Sequence, residues 1–147
     1  MQKYVLVIPF SHDFERVALV EKLGRGPSFV AGRANYPGGK QEPGESPEHA
    51  ALRELQEETG LQVTLENLKP IAFYSRKDDF ELMVFAVRLP GAEFEHAHTT
   101  TDEVVVKIDV AHLRETAAAD PKRYVPDIIQ LLDLAFVALN RYGYGNA

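Results

Sequence analysis

The segment Gly39–Leu61, GKQEPGESPEHAALRELQEETGL, constrains this chain more than any other. Ser46 is a good N-cap, and Pro47 suits the first helical position, where its missing N–H is not needed and its φ is already helical. Glu48–Glu58 contains no Gly or Pro and is rich in Ala, Leu and Glu, all strong helix formers. Gly60 then supplies a left-handed residue that stops the helix. The segment therefore predicts one short helix between two glycine-bearing loops. On it Glu54, Glu57 and Glu58 stand at i, i+3 and i+4, so three carboxylates share one face, while Ala51, Leu52 and Leu55 fall on others and can pack inward. Like charges at this spacing cost only about 0.2–0.5 kcal/mol per pair when solvated. A plain acidic, solvated face is thus energetically easy, and the helix alone establishes no function.

The full spacing goes further. Gly39, five residues, Glu45, seven residues, Arg53-Glu54-Leu55, one residue, Glu57-Glu58, one residue, Gly60-Leu61 fixes seven identities and two aliphatic positions. At ordinary residue frequencies such a match arises by chance in well under roughly one chain in a million. The segment resembles the box of the Nudix hydrolases, and most closely that of MutT-like members, with Pro37-Gly38-Gly39-Lys40 leading into it. Outside these 23 of 147 residues the resemblance is one of layout.

The resemblance implies an α/β fold: a Nudix-type α/β/α sandwich with a mixed β-sheet and a loop-helix-loop catalytic motif. It also implies hydrolysis of a phosphoanhydride with Mg²⁺, for which Mn²⁺ would substitute. Water is a poor nucleophile and phosphate oxygens repel hydroxide; a hard, oxygen-ligated cation answers both difficulties. Glu57 and Glu58 are then the principal metal ligands. Glu54 is the favoured general base or water-orienting group, with a share in the metal. Arg53 would fix a box carboxylate through its rigid fork, or simply pair with Glu57 one turn on. Glu45 would act on the metal at one remove or through water, and the carbonyl of Gly38 would be a further ligand. A last acidic ligand is expected between residues 93 and 103, Glu103 first and Glu95 second.

Composition narrows the alternatives. A chain of 147 residues is expected to form one domain, 1–147, with the box at 39–61 and a closing helix at about 126–142. With no cysteine there is no disulfide and no thiolate metal site, and an isomerase of the isopentenyl-diphosphate type, which resembles chemistry using a catalytic cysteine, is disfavoured. A net charge of −6 argues against general nucleic-acid binding and against an RNA-decapping enzyme. It suits a protein that meets polyphosphates through cations. No apolar run approaches the roughly 20 residues of a membrane span. A cytoplasmic protein is expected.

Along the chain, Tyr4–Phe10 reads as a strand covered on both faces, and Arg16–Lys22 as its return after a polar turn. Leu23–Asn35 carries four Gly or Pro residues and reads as a surface loop. Lys22, Arg25 and Arg33 could meet substrate phosphates, Lys22 foremost. Gln62–Leu65 is a short strand candidate, and Ile71–Arg76 with Phe80–Leu89 a hairpin. Tyr36, Tyr74 and Arg76 are candidate substrate contacts, with Phe80 beside them. Pro90–Asp102 is a polar loop, and its His96 and His98 make at most a weak metal pair. Glu103–Ile108 reads as a strand and Val110–Ala118 as a helix. Pro126–Tyr142 reads as a helix with Pro126 at its first position. Its apolar stripe packs on the sheet, and the spare face is a candidate homodimer surface. The substrate is expected to be a nucleotide-type small molecule: a nucleoside triphosphate first, an oxidised or non-standard one included, with ADP-ribose or another nucleoside diphosphate sugar as the alternative. A catalytically silent nucleotide-binding regulator is the rival from another class.

Overall fold

The alternation of side chains along the first strand decides the layering. Gln2–Phe10 forms β1; Val5 and Val7 point to one face, Ile8 and Phe10 to the other, and all four are buried. A strand apolar on both faces requires cover on both. The computed structural model describes residues 1–21 and 32–140. The expectations for Lys22, Arg25 and the chain after residue 140 lie outside them.

The other strands are β2 (Arg16–Glu21), β3 (Ala34–Asn35), β4 (Gly38–Lys40), β5 (Lys69–Arg76), β6 (Phe80–Arg88) and β7 (Val104–Asp109). Among the described residues they form one sheet in the order β3-β2-β1-β6-β5, with β4 also on β1 and β7 on β2. β1 and β6 run parallel, Val5 opposite Met83, and the other pairs are antiparallel, so the sheet is mixed. Helix α1 (Pro47–Thr59) covers one face, where Ala50, Ala51 and Leu55 join Val5, Val7, Phe85 and Val87. Helix α3 (Ile128–Leu139) covers the other, where Leu131, Leu132, Ala135 and Leu139 meet Ile8, Phe10, Val84 and Ala86. Helix α2 (Val110–Ala119) follows β7 directly and adds Leu113 to that second core. The result is the expected α/β/α sandwich, and no described helix is long and apolar enough to cross a membrane.

Three local expectations are corrected. Gln62–Leu65 pairs with no strand; the chain closes a 3-10 turn at Leu65–Asn67 instead, with Asn67 N–H donating to Thr64 and Leu68 N–H to Leu65. Those local bonds satisfy the backbone that a ladder would have used. Pro126 is not the first helical residue. Asp127 stands at φ 69°, outside the helical region, and its carbonyl accepts the first bond of α3, from Leu131 at 2.9 Å. The loop Pro90–Asp102 holds a 3-10 turn at Glu93–His96, and β7 begins at Val104, one residue later than expected.

Candidate active site

Helix α1 starts and stops as its sequence dictates. Ser46 Oγ accepts from the His49 N–H at 3.1 Å, and Gly60, at φ 78°, donates its N–H to Gln56 at 2.8 Å. Just before the stop, Thr59 Oγ1 donates to the Leu55 carbonyl at 2.6 Å and accepts from Leu61 N–H at 3.1 Å. Burying Ala50, Ala51 and Leu55 on β1 and β6 rotates Glu58 inward and leaves Glu57 outward. Glu58 is 6% exposed, while the side chains of Glu54 and Glu57 are 14% and 55% exposed. The three carboxylates share a stripe of the helix but not an environment.

Facing that stripe is the turn into β4. Gly38 N–H donates to Glu58 Oε1 at 2.6 Å, a short bond of the strength a charged acceptor gives. A side chain at Gly38 would begin 2.1 Å from the Val5 carbonyl, and one at Gly39 would begin 2.6 Å from the Glu54 carboxylate. Both glycines are therefore required by space, so that backbone can lie flush against β1 on one side and against two carboxylates on the other.

Arg53 ties the loop to the helix. Its Nε and Nη2 donate to the two oxygens of Glu45 at 2.8 and 2.9 Å, a bidentate pair. Nη1 donates to Glu54 at 3.0 Å and to Glu57 at 3.2 Å, and Nη2 also donates to the Lys40 carbonyl at 3.0 Å. One guanidinium thus contacts three box carboxylates, Glu45, Glu54 and Glu57. The Arg53 bonds, helped by the Glu42 N–H, hold the Glu45 carboxyl at about 2, well below the usual carboxylate range. Glu45 in turn raises the guanidinium, which is charged at any accessible pH. Among the described residues no three acidic or histidine side chains converge as a metal cage in this arrangement. The carboxylates are instead held by Arg53 and by the Gly38 amide.

The loop before β7 closes the site from the C-terminal end of α1. His98 N–H donates to the Thr59 carbonyl at 2.9 Å, and Thr100 Oγ1 donates to the Glu57 carbonyl. Glu103 follows, half-buried, its N–H donating to Thr101 Oγ1 at 3.0 Å, and the next residue, Val104, pairs with Glu21. Glu103 thus sits in a segment fastened to the box helix. Glu95 does not: it pairs with Arg16 at the far end of β2, where that guanidinium lies 5.1 Å from the Phe94 ring centroid. His96 faces Glu93 at 3.3 Å, and His98 Nδ1 donates to the His96 carbonyl at 2.8 Å.

The family model for the NUDIX domain matches residues 2–128. The chain belongs to the Nudix family. A stretch of 37 residues, 25% of this chain, is 57% identical to an 8-oxo-dGTP diphosphatase of Proteus vulgaris, and the match spans about a third (33%) of that relative's length. Among solved structures, MutT of Aliivibrio salmonicida and Vibrio cholerae is similar at a TM-score of 0.66 and 25% identity, over 90% of this chain and 97% of that one. The Nudix domain of Shewanella oneidensis NrtR, solved with ADP ribose, is similar at a TM-score of 0.71 and 20% identity, over 93% and 87% of the two chains. An ADP compounds hydrolase follows at a TM-score of 0.69 and 19% identity, over 97% and 75%. The last two share the fold.

In this Nudix chain four of the candidate substrate contacts, Arg33, Tyr36, Tyr74 and Arg76, fall among the described residues. Tyr36 is fully buried in the α3-side core, where its hydroxyl donates to the Ile128 carbonyl at 2.7 Å. Burial pushes that hydroxyl far above the ordinary tyrosine value, so it stays a neutral structural donor. Tyr74 and Arg76 pair with Leu82 and Phe80, and Leu82 packs on the α3-side core, so by strand alternation all four face away from α1. Arg76 is bonded to Asp79 at 2.9 Å and lies over the Phe80 ring. Arg33 donates to the Tyr124 carbonyl at 3.5 Å, beside the bridge from Ala34 to Tyr124. His98 and Thr100, which grip the box helix, carried no signal in sequence: neither stands at a motif position, and the contact joins residues 38 to 43 apart.

Proposed function

We propose that this Nudix protein hydrolyses a nucleoside diphosphate linked to a further group, with a divalent cation, and that its substrate is a nucleoside triphosphate, an oxidised or non-standard one included. One observation carries the reading: Glu54 and Glu58 are pressed against the backbone of Gly39 and Gly38, so closely that a side chain at Gly39 would collide with the Glu54 carboxylate. Carboxylates gathered on one stripe of a helix supply the oxygen donors that a hard cation, Mg²⁺ or Mn²⁺, takes. Glu57 and Glu58 would hold it, with the Gly38 carbonyl and Glu103 as further oxygen donors and Glu45 acting through Arg53. When bound, such a cation neutralises phosphate charge and lowers the pKa of water. Glu54, beside Gly39 and oriented by Arg53, would orient that water and take its proton.

The preference for a triphosphate is supported by the 57% identical stretch shared with the 8-oxo-dGTP diphosphatase. A second reading, an ADP-ribose or nucleoside diphosphate sugar pyrophosphatase, draws on the fold neighbours that bind or cleave ADP compounds. An intact set of box carboxylates weighs against a silent regulator. The test is a panel of 8-oxo-dGTP, dGTP, other nucleoside triphosphates, ADP-ribose and nucleoside diphosphate sugars with Mg²⁺ or Mn²⁺, read by pyrophosphate release from the triphosphates and by chromatography of the nucleoside monophosphate formed from either class. Pyrophosphate from the triphosphates is expected; turnover of ADP-ribose alone would replace the first reading with the second.

A further inference from the structure

The C-terminal end of α1 meets the loop before β7 through a fit that the box motif does not contain. Gly60 is left-handed, at φ 78°, which accounts for a glycine there on conformation alone. Space gives a second and independent reason. A Cβ at Gly60 would stand 2.4 Å from Cε1 and 2.9 Å from Nδ1 of the His98 ring, so the imidazole occupies the room that a side chain would take. The ring is itself held: Nδ1 donates to the His96 carbonyl at 2.8 Å, and the His98 amide donates to the Thr59 carbonyl at 2.9 Å. Two residues on, Thr100 Oγ1 reaches the Glu57 carbonyl, and Thr99 Oγ1 accepts at 3.0 Å from the N–H of Val105, the second residue of β7. The last carbonyls of a helix have no partner within it, and here the loop supplies two.

We propose that His98 is a positioning residue that, with Thr100, braces the end of α1 against the loop and so sets where Glu103 lies relative to Glu57 and Glu58. The proposal rests on the functional reading above, because the carboxylates it aligns are those assigned to the cation. The loop from Ala97 to Glu103 has little regular structure; the β2–β7 ladder fixes its far end at Val104, and the bonds of His98 and Thr100 fix its near end to the helix. Groups that orient the ligands of a cation characteristically change affinity or turnover by about ten- to a hundredfold when removed.

The experiment compares His98→Ala, Thr100→Val, Gly60→Ala and the Gly60→Ala/His98→Ala pair with the unsubstituted chain, using His96→Ala as a control. Three quantities are measured: Mn²⁺ affinity by calorimetry, kcat and KM for the best substrate, and amide hydrogen exchange over residues 57–61 and 98–105. For His98→Ala the expected result is faster exchange in both segments, about tenfold weaker Mn²⁺ binding and about tenfold lower kcat at similar KM. Gly60→Ala should lose more, and removing the ring in the paired variant should restore part of the loss, since the clash is gone. Exchange, Mn²⁺ affinity and kcat all unchanged in both His98→Ala and Thr100→Val would overturn the brace. Failure of the unsubstituted chain to bind Mn²⁺ would overturn the functional reading instead, and the exchange data would still decide whether the brace exists.

Discussion

Glu57 and Glu58 are neighbours in sequence with unlike surroundings, and substitution should expose the difference. Glu57→Gln and Glu58→Gln should both abolish cation-dependent hydrolysis. Glu57 is exposed and its bond to Arg53 is an i,i+4 surface pair, worth about 0.3–0.5 kcal/mol, so its metal-free melt should barely move. Glu58→Gln keeps an oxygen for the Gly38 amide but loses the charge, and should cost about 1 kcal/mol. Persistent turnover in both variants would remove them from the cation site. Glu45 gives a pH signature. Its folded pKa, about 2, lies below its ordinary 4.5, so its pairing with Arg53 contributes fully above about pH 4.5 and is lost as pH falls toward 2. The stability difference between the unsubstituted chain and Glu45→Gln, followed by denaturant titration, should therefore be constant above that range and shrink within it. These residues were legible because the motif fixes their types. Their exposures were not, since those depend on which side of α1 meets the sheet.

At the scale of elements, the adjacent glycines before the box should respond differently to alanine. At Gly38 the new Cβ meets a backbone carbonyl of β1, which cannot move without opening the β1–β4 pairing. That variant should lose about 1–3 kcal/mol of stability, the usual cost of overpacking. At Gly39 the atoms nearest the Cβ are those of the Glu54 carboxylate, the end of a side chain that can swing away. Gly39→Ala should melt near the unsubstituted temperature yet lose at least about tenfold in kcat, since small misplacements of a reacting group are costly. Equal melting losses in the two would contradict this geometry. Helix α1 itself was legible to the residue, because Ser46, Pro47 and Gly60 act locally. The start of α3 was not: Pro126 looks like a first helical residue, but the left-handed Asp127 postpones the helix to Ile128. The strand expected at Gln62–Leu65 failed for want of a partner, which no local pattern records.

Across the described residues the sheet sorts side chains by parity, and parity decided which candidates share a face with α1. Tyr74 and Arg76 have suitable chemistry for a nucleotide, yet they share a face with Leu82 and Phe80, away from α1. Tyr36 immediately precedes the Pro-Gly-Gly turn, but it anchors that turn from behind, through the Ile128 carbonyl at the start of α3. Glu95 and Glu103 are both acidic loop residues. They end at opposite ends of β2: Arg16 pairs with Glu95 at its start, and Val104, next to Glu103, pairs with Glu21 at its end. By itself the sequence determined the helix, its stops, the spacing of its carboxylates and the family, because each depends on residues within a few turns of one another. Only the tertiary structure decided which carboxylate is buried, which aromatic is core and which loop segment is bonded to the end of the box helix. Those outcomes depend on strand register and on contacts between distant segments, where a shift of one residue reverses the face a side chain presents.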